Sequence, residues 1–225
     1  MLINADLTRQ AIVDSTALDW VASPIAGVER RMLERDGVEV ARATSLVRYA
    51  PGSAFSPHRH DAGEEFLVLD GVFSDETGDF PRHWYIRNPP GSRHTPASAP
   101  GAVILVKLRQ MPDAETETVR LDTADPALWH QAADGSRVAS LFAAPWEQVD
   151  LLRWPAGHHT PAHSYAGGLE LFIIEGYITI DGSTHRQGTW LRFPAGSTLA
   201  LASANGALIY RKTGHLPPPP AAAAP

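Results

Sequence analysis

The sequence contains no cysteine among its 225 residues. This absence excludes disulfides, thiolate metal ligands and a cysteine nucleophile, so any bound metal must be held by nitrogen and oxygen atoms. Positive charge is also limited, because 19 Lys and Arg stand against 25 Asp and Glu, giving a net charge of −6. Such a protein has no general attraction for nucleic acid or an anionic membrane, and we expect neither as a partner.

Long apolar runs are missing as well. No stretch approaches the length of a transmembrane helix, and Asp6 interrupts the N-terminal segment where a signal peptide would have an apolar core. We therefore expect a cytoplasmic protein. The 19 Pro and 18 Gly separate many short apolar segments, which predicts frequent turns and few long helices.

The chain repeats itself at an offset of 105 residues, the separation of Gly52 and Gly157. At this offset, ASAPGAVILVK at 97–107 aligns with ASANGALIYRK at 202–212. The register holds without a gap over about 60 positions, which indicates an internal duplication. Each half contains short segments rich in β-branched and aromatic residues, such as HWYIRN and TWLRF, and these predict a β-sandwich or small barrel. A short helix is predicted around GVERRMLERDG, and the linker between the halves near residues 111–135.

Two histidines separated by one residue form the most distinctive local pattern. His58 and His60 would point to the same face of a strand, although such a pair alone is also common on a solvated edge. The turn signal DAG follows, and Glu64 then begins an apolar run in which alternate residues share a face, so its carboxylate can reach the imidazoles. His94, after a Pro-Gly turn, can supply a fourth ligand.

Three imidazoles and one carboxylate suit Zn, Fe(II), Mn, Ni or Cu(II) and disfavour Ca and Mg, which prefer oxygen ligands alone. We expect one divalent transition metal per chain, with zinc first and iron, manganese or nickel as alternatives. Arg48, Tyr49, Phe66 and Trp84 are predicted to line the pocket beside the metal, against the alternative that they are ordinary core or surface residues.

The second half lacks most of these ligands. His58 aligns with His163, but the other three positions hold Tyr165, Leu169 and Leu199. We therefore expect no metal site there and a barrel filled by apolar packing, because leucine neither coordinates a metal nor leaves room for water.

Three more histidines lie in the second half. His158, His159 and His185 are interpreted as exposed loop residues, with an unrelated second site as the alternative.

The four candidate ligands resemble the motifs of the cupin superfamily. Its first motif, G(x5)HxH(x3,4)E(x6)G, is matched over residues 52–71, and its second, G(x5)PxG(x2)H(x3)N, is matched in part over 89–94, with Ser98 in place of the asparagine. More narrowly, residues 27–111 are similar to the cupin domain of the ChrR zinc-binding anti-sigma factors, and the similarity extends more weakly over the second half. The resemblance implies that the metal is bound by three histidines and a glutamate, which fall on His58, His60, His94 and Glu64.

The resemblance also implies a fold and an organisation. We expect an all-β chain of two tandem cupin (double-stranded β-helix, jelly-roll) barrels. The N-terminal cupin with the metal site is placed at 1–118, a degenerate cupin at 119–214 and a disordered Pro/Ala-rich tail at 215–225. Two halves of this kind are expected to pair within one chain, as a monomer or a homodimer.

Function is less sharply predicted. ChrR factors hold the sigma factor with a separate zinc domain that uses cysteine ligands, so with no cysteine we do not carry anti-sigma activity over. The first interpretation is a metal-binding cupin, of unassigned activity, that takes a small-molecule ligand at its metal. The alternatives are an Fe(II)-, Mn- or Ni-dependent dioxygenase acting on a small diketone or hydroxy acid, an oxidative-stress or small-molecule sensor related to anti-sigma factors, and a purely structural zinc site.

Overall fold

The computed structural model describes residues 1–217, and almost all of its regular structure is β-strand. Within these residues the helical turns are two short 3₁₀ segments, Ser15–Ala17 and Pro126–Leu128. The helix predicted around residues 27–37 is wrong, because Val28–Gly37 forms a strand that pairs along its length with Ala41–Tyr49.

Fourteen strands come before residue 125. In chain order they are β1 (Leu2–Ile3), β2 (Ala11–Asp14), β3 (Val21–Ala22), β4 (Val28–Gly37), β5 (Ala41–Tyr49), β6 (Ser53–Ala54), β7 (His58–Arg59), β8 (Glu64–Asp75), β9 (Gly78–Pro81), β10 (Trp84–Asn88), β11 (Arg93–His94), β12 (Ala97–Ser98), β13 (Ala102–Leu108) and β14 (Val119–Asp122).

Eleven described strands come after residue 125. They are β15 (Trp129–Gln131), β16 (Arg137–Ala144), β17 (Glu147–Trp154), β18 (His158–His159), β19 (His163–Tyr165), β20 (Leu169–Ile180), β21 (Ser183–Arg186), β22 (Thr189–Phe193), β23 (Ser197–Leu199), β24 (Leu201–Ser203) and β25 (Ala207–Thr213). Of these, β16–β25 repeat the order of β4–β13.

The chain divides into two compact units. The first comprises Met1–Ala5 and Leu18–Asp125, and the second comprises Asp6–Ala17 and, within the described residues, 126–217. The main sheet of the first unit has the order β1-β4-β5-β13-β8-β10-β14, and that of the second has the order β15-β16-β17-β25-β20-β22-β2. All the pairings in both sheets are antiparallel, and their central five strands correspond one to one. The predicted all-β fold of two tandem jelly-roll barrels is confirmed.

The last strand of each sheet comes from an unexpected part of the chain. β14 follows the aligned part of the first half and pairs with β10 of the first unit, which extends to Asp125. β2 lies near the N-terminus, yet it pairs with β22 of the second unit. The edge strand of each sheet is paired by hydrogen bonds to a strand far away in sequence. Local sequence signals therefore do not predict these two pairings.

A glycine is required at the same place in each unit, where β8 pairs with the start of β13 and β20 pairs with the start of β25. Gly71 in β8 has a φ of +70°, and a Cβ there would lie 2.0 Å from the carbonyl oxygen of Gly101. Gly176 in β20 has a φ of +76°, and a Cβ would lie 2.3 Å from that of Gly206. Any side chain at either position would collide with backbone, so the duplication preserves a steric requirement as well as a sequence pattern.

Each unit has its own apolar core. The core of the first unit is formed by Val28, Val47, Phe66, Val68, Phe73, Phe80, Ile86, Ala102, Ile104 and Val106. The core of the second unit is larger and is formed by Leu152, Trp154, Leu169, Leu171, Ile173, Ile178, Ile180, Leu191, Phe193, Leu199, Leu201, Ala207 and Ile209.

The beginning of the predicted disordered tail is packed. Leu216 is buried and covers Gly168, where a Cβ would meet its side chain at 2.5 Å. Met111 covers Gly63 in the same way in the first unit, 105 residues earlier. The remainder of the predicted tail, residues 218–225, lies outside the described residues. None of the helical segments described has the length and hydropathy needed to cross a membrane.

Candidate metal centre

Three chain segments bring the histidines together. β7 and β11 pair antiparallel with His58 directly opposite His94, and His60 follows β7 by one residue. Glu64 is the first residue of β8, just after the turn at Gly63. The pairing of β7 with β11 and the turn at Gly63, between β7 and β8, therefore bring all four side chains together.

The three imidazoles form a compact cluster. One ring nitrogen of each of His58, His60 and His94 lies within 4.8 Å of the other two. The ring centroids are 4.7–4.9 Å apart and the rings are nearly perpendicular to one another. Glu64 joins them, because its Oε2 atom lies 3.4 Å from Nε2 of His60 and 3.6 Å from Nε2 of His94.

The buried ring nitrogens of the cluster lack hydrogen bonds. His60, His94 and Glu64 are 7%, 4% and 6% exposed, whereas His58 is exposed. Within residues 1–217, Nε2 of His60 and Nε2 of His94 have no hydrogen-bond partner, although both face the same carboxylate oxygen. Buried polar atoms are nearly always paired, so two unpaired nitrogens directed at one point fit a site for a cation.

The separations also fit a bound transition metal. Ligands about 2.1 Å from a common ion lie roughly 3.0–3.4 Å from one another in octahedral or tetrahedral arrangements. The two Nε2–Oε2 distances of 3.4 and 3.6 Å are close to this range. The donor set of imidazole nitrogen and carboxylate oxygen suits Zn, Fe, Mn and Ni.

Burial and neighbouring charge shift the pKa values of the two buried histidines in opposite directions. Desolvation lowers the pKa of His60 despite the opposing charge of Glu64. Desolvation also acts on His94, but Asp75 and Glu64 outweigh it and raise the pKa of its ring. Burial opposes ionisation of Asp75 too, yet its contact with His94 and the hydrogen bonds from Thr77 lower its pKa to about 2.

Asp75 and Asn88 contact the candidate ligands but are absent from the sequence prediction. Asp75 Oδ2 lies 3.4 Å from Nδ1 of His94, and the Asn88 side-chain amide donates a hydrogen bond of 3.1 Å to Glu64. The internal repeat could have indicated both residues, because they align with apolar residues in the second half, Ile180 and Phe193.

A cavity of about 720 Å³ opens beside the cluster and reaches His58, His60 and Glu64. Its walls are largely apolar, although Arg30, Glu39, Arg59, Asp61 and Arg109 also line it. The hydroxyl of Tyr49 has no hydrogen-bond partner in the part of the chain that the structure describes. The Tyr49 ring is held edge-on by Phe55 and Phe73, with centroids 5.4 and 5.6 Å away. The apolar wall residues are Ile25, Ala26, Val28, Ala41, Val47, Ala54, Phe55, Val106 and Leu108.

The other three predicted pocket residues lie elsewhere. Arg48 points away from the cavity and pairs with Glu29, while its guanidinium stacks over Trp20 at 4.5 Å. Phe66 is a core residue packed on Phe73, and Trp84 packs on Phe80. Of the four, Tyr49 lines the cavity and Arg48, Phe66 and Trp84 do not.

The corresponding place in the second unit is filled by apolar side chains. β19 and β23 pair with His163 opposite Leu199, which repeats the pairing of His58 with His94. Leu169 and Leu199 belong to the buried core, and Tyr165 packs against it. His163 is exposed, so the second unit holds one histidine where the first unit holds a cluster.

One of the histidines interpreted as a loop residue is instead buried. His158 is 5% exposed in β18, and its ring packs on Trp154 with the centroids 4.6 Å apart. The two rings are tilted by 34°, so His158 packs as an aromatic residue in the second unit. His159 is exposed as predicted, and His185 is half-buried.

Two tandem jelly-roll barrels, one carrying a histidine cluster beside a cavity, define the class of two-domain cupins. The ChrR cupin-like domain model matches residues 8–112 and again 116–217, so the chain belongs to this family. A search of curated protein sequences found no match. The resemblance drawn from the sequence motifs is thereby confirmed.

Solved structures show the same fold at low sequence identity. A Nostoc punctiforme protein provisionally described as a dioxygenase is 17% identical, with a TM-score of 0.75 over 93% of this chain and 84% of its own. The Escherichia coli pirin YhhW, solved with nickel(II), is 12% identical, with a TM-score of 0.69 over 94% and 100%. A deletion mutant of Bacillus subtilis oxalate decarboxylase is 13% identical, with a TM-score of 0.62 over 91% and 76%.

Proposed function

We propose that the first barrel binds one divalent transition metal through His58, His60, Glu64 and His94. The observation that carries this proposal is the pair of buried Nε2 atoms, of His60 and His94, that face one carboxylate oxygen without hydrogen bonds. Zinc is the first choice, with iron, manganese or nickel as alternatives. A nickel-bound structure in the same fold supports the wider set of metals.

We further propose that the metal site takes a small molecule with oxygen donors from the adjacent cavity. When bound, the metal would act as a Lewis acid and, if it is iron, would also supply redox chemistry. The apolar walls would exclude water and hold the carbon skeleton of the ligand. Tyr49 would donate a hydrogen bond to a ligand oxygen, because its hydroxyl has no partner among the described residues.

Oxygenase chemistry on a small diketone or hydroxy acid is the second candidate. It is favoured by the mostly apolar cavity of about 720 Å³, which is large enough for such a substrate and opens directly at His58 and His60. A fold neighbour provisionally described as a dioxygenase supports the same class.

Metal stoichiometry tests the site. Elemental analysis of the purified protein should give about one metal per chain, and His60→Ala and Glu64→Ala should reduce it well below one because each removes a donor. His163→Ala is the matched control, since it changes the histidine that aligns with His58 in the second unit. Metal loss in His163→Ala but not in His60→Ala would show that the metal site lies in the second barrel, which would contradict the proposal.

Oxygen uptake separates the two candidate functions. Protein reconstituted with Fe(II) without air should consume O₂ with acetylacetone or glycolate if it is an oxygenase, whereas the Zn(II) form should not, because zinc has no accessible redox change. If both metal forms bind these probes but consume no O₂, the result would support ligand binding and contradict the oxygenase function.

A further inference from the structure

Three polar residues lie directly behind the candidate ligands. Asp75 Oδ2 is 3.4 Å from Nδ1 of His94, and Asn88 Nδ2 donates to Oε2 of Glu64 at 3.1 Å. Arg120, in β14, donates to Oδ1 of Asn88 at 2.7 Å. These contacts form two short connections, one ending at His94 and the other at Glu64.

The connection through Asn88 is directional. A guanidinium has donors and no acceptor, so Arg120 must face the amide oxygen of Asn88 and not its NH₂ group. The NH₂ group is thereby turned toward Glu64, where it can only donate. Because Asn88 is 3% exposed, water does not compete for these contacts, and the Glu64 carboxylate is held with Oε2 toward the imidazoles.

Asp75 faces the other buried ligand across an ionic contact of 3.4 Å, which does not have the geometry of a hydrogen bond. Asp75 accepts hydrogen bonds from the backbone N–H and hydroxyl of Thr77 at 2.7 and 2.5 Å, which set the orientation of its carboxylate. Its second oxygen faces Nδ1 of His94, so Nε2 of that ring is directed toward Glu64. A carboxylate behind a ligand histidine is a common way to fix the ring orientation.

The second unit provides an internal comparison. Asp75 and Asn88 align with Ile180 and Phe193, both buried in the core of that unit. Arg120 pairs opposite Ile86, and at the equivalent pairing in the second unit Ile12 lies opposite Leu191. All three polar positions are therefore apolar in the barrel that has lost the ligands, although both barrels keep the same strand order. Residues needed only to build the barrel would not be expected to change together with the ligands.

We infer that Asp75, Asn88 and Arg120 are positioning residues that orient His94 and Glu64 for metal binding, and that β14 is thus part of the metal site. The inference rests on the proposed metal binding by the first barrel. Because β14 lies near the start of the second matched segment, 116–217, the site in the first unit depends on a strand from outside the first matched segment, 8–112.

The test measures cobalt(II) affinity and the visible spectrum of the cobalt(II) form in the full chain. Asn88→Leu and Arg120→Met should weaken cobalt(II) binding by about 10–100-fold, measured by competition with a chelator. The visible absorption bands should also change, because they report the geometry of the ligands. Arg120→Lys keeps a donor at this position and should restore part of the affinity. Ile12→Met is the matched control at the equivalent position of the second unit, and it should bind as the wild type does.

The outcomes separate this inference from the function on which it rests. If the wild type binds no metal, the proposed function fails. If the wild type binds metal and Asn88→Leu and Arg120→Met match it in affinity and spectrum, the positioning role is refuted. A structural role alone would lower the melting temperature of the metal-free variants without changing the cobalt(II) spectrum. Should either variant fail to fold, as judged by circular dichroism, Asp75→Asn decides the matter, because it removes the negative charge beside His94, and wild-type affinity and spectrum in that variant would overturn the inference.

Discussion

Leu169 occupies the position in the second barrel that Glu64 occupies in the first, and its replacement by alanine tests how the two barrels divide their roles. Leu169 is 0% exposed and lies within the second core. Removing three carbons costs about 2.4 kcal/mol at about 0.8 kcal/mol per buried CH₂. A residual cavity of about 50 Å³ adds about 1.2 kcal/mol, so we expect Leu169→Ala to lower the free energy of unfolding by about 3.5 kcal/mol.

The measurement is urea unfolding of the metal-free protein, followed by tryptophan fluorescence, with the loss read from the midpoint at constant slope. Leu2→Ala is the control, because Leu2 is 74% exposed and its truncation should change stability by less than about 0.5 kcal/mol. Metal content should be unchanged in both variants. A loss below about 1.5 kcal/mol in Leu169→Ala would show that the second barrel is not closely packed. Loss of metal in that variant would show that the second barrel contributes to the site.

Three further predictions follow from particular contacts. Gly71→Ala and Gly176→Ala should each destabilise the protein by more than about 3 kcal/mol in urea unfolding, because the new Cβ would collide with backbone. Gly182 has open space around it, so Gly182→Ala should cost about 1–2 kcal/mol from its positive φ alone. Equal costs at all three would contradict the steric argument. Leu216→Ala should cost about 2–4 kcal/mol in the same assay, because its side chain is buried, and a change under about 0.5 kcal/mol would show that it does not stabilise the fold. Tyr49→Phe should keep its metal but bind acetylacetone about 5–10-fold more weakly by calorimetry, through loss of one hydrogen bond, and unchanged affinity would remove Tyr49 from the ligand site.

The histidine cluster and the duplication could be predicted from sequence because both depend on short-range rules. Alternation along a strand brings His58 and His60 to one face, and the glycine turn before Glu64 returns the chain to them. The offset of 105 residues then indicates which ligands the second half has lost. No alignment is needed for either step, since the chain supplies its own comparison.

The error at residues 27–37 has a clear physical cause. The segment is rich in Glu, Arg, Leu and Met, which favour a helix when only local propensity is considered. In the structure it pairs with β5 from Val28 to Gly37, with a bulge between Met32 and Glu34. Hydrogen bonds to a neighbouring strand outweighed a preference that is worth only a fraction of a kcal/mol per residue.

The pocket could be predicted only in part, because sequence does not reveal which face of a strand borders a cavity. Tyr49 and Arg48 are adjacent in β5, so they must point to opposite sides. The side chain of Tyr49 lines the cavity, and that of Arg48 lies on the other side of the strand and pairs with Glu29. A prediction that chose both neighbours could be right for one of them at most.

The two barrels differ most at the positions where a polar group would require a partner. A buried carboxylate such as Glu64 is stable only with donors or a cation around it, so its replacement by leucine removes the need for Asn88 and, behind it, for Arg120. Once the ligands were lost, each remaining polar residue would have been a buried group without a partner, costing about 1–3 kcal/mol. Selection for stability alone would then favour Ile180, Phe193 and the apolar filling of the second barrel. Conversely, the first barrel keeps two buried Nε2 atoms, of His60 and His94, without hydrogen bonds, and a metal bound between them would offset that cost.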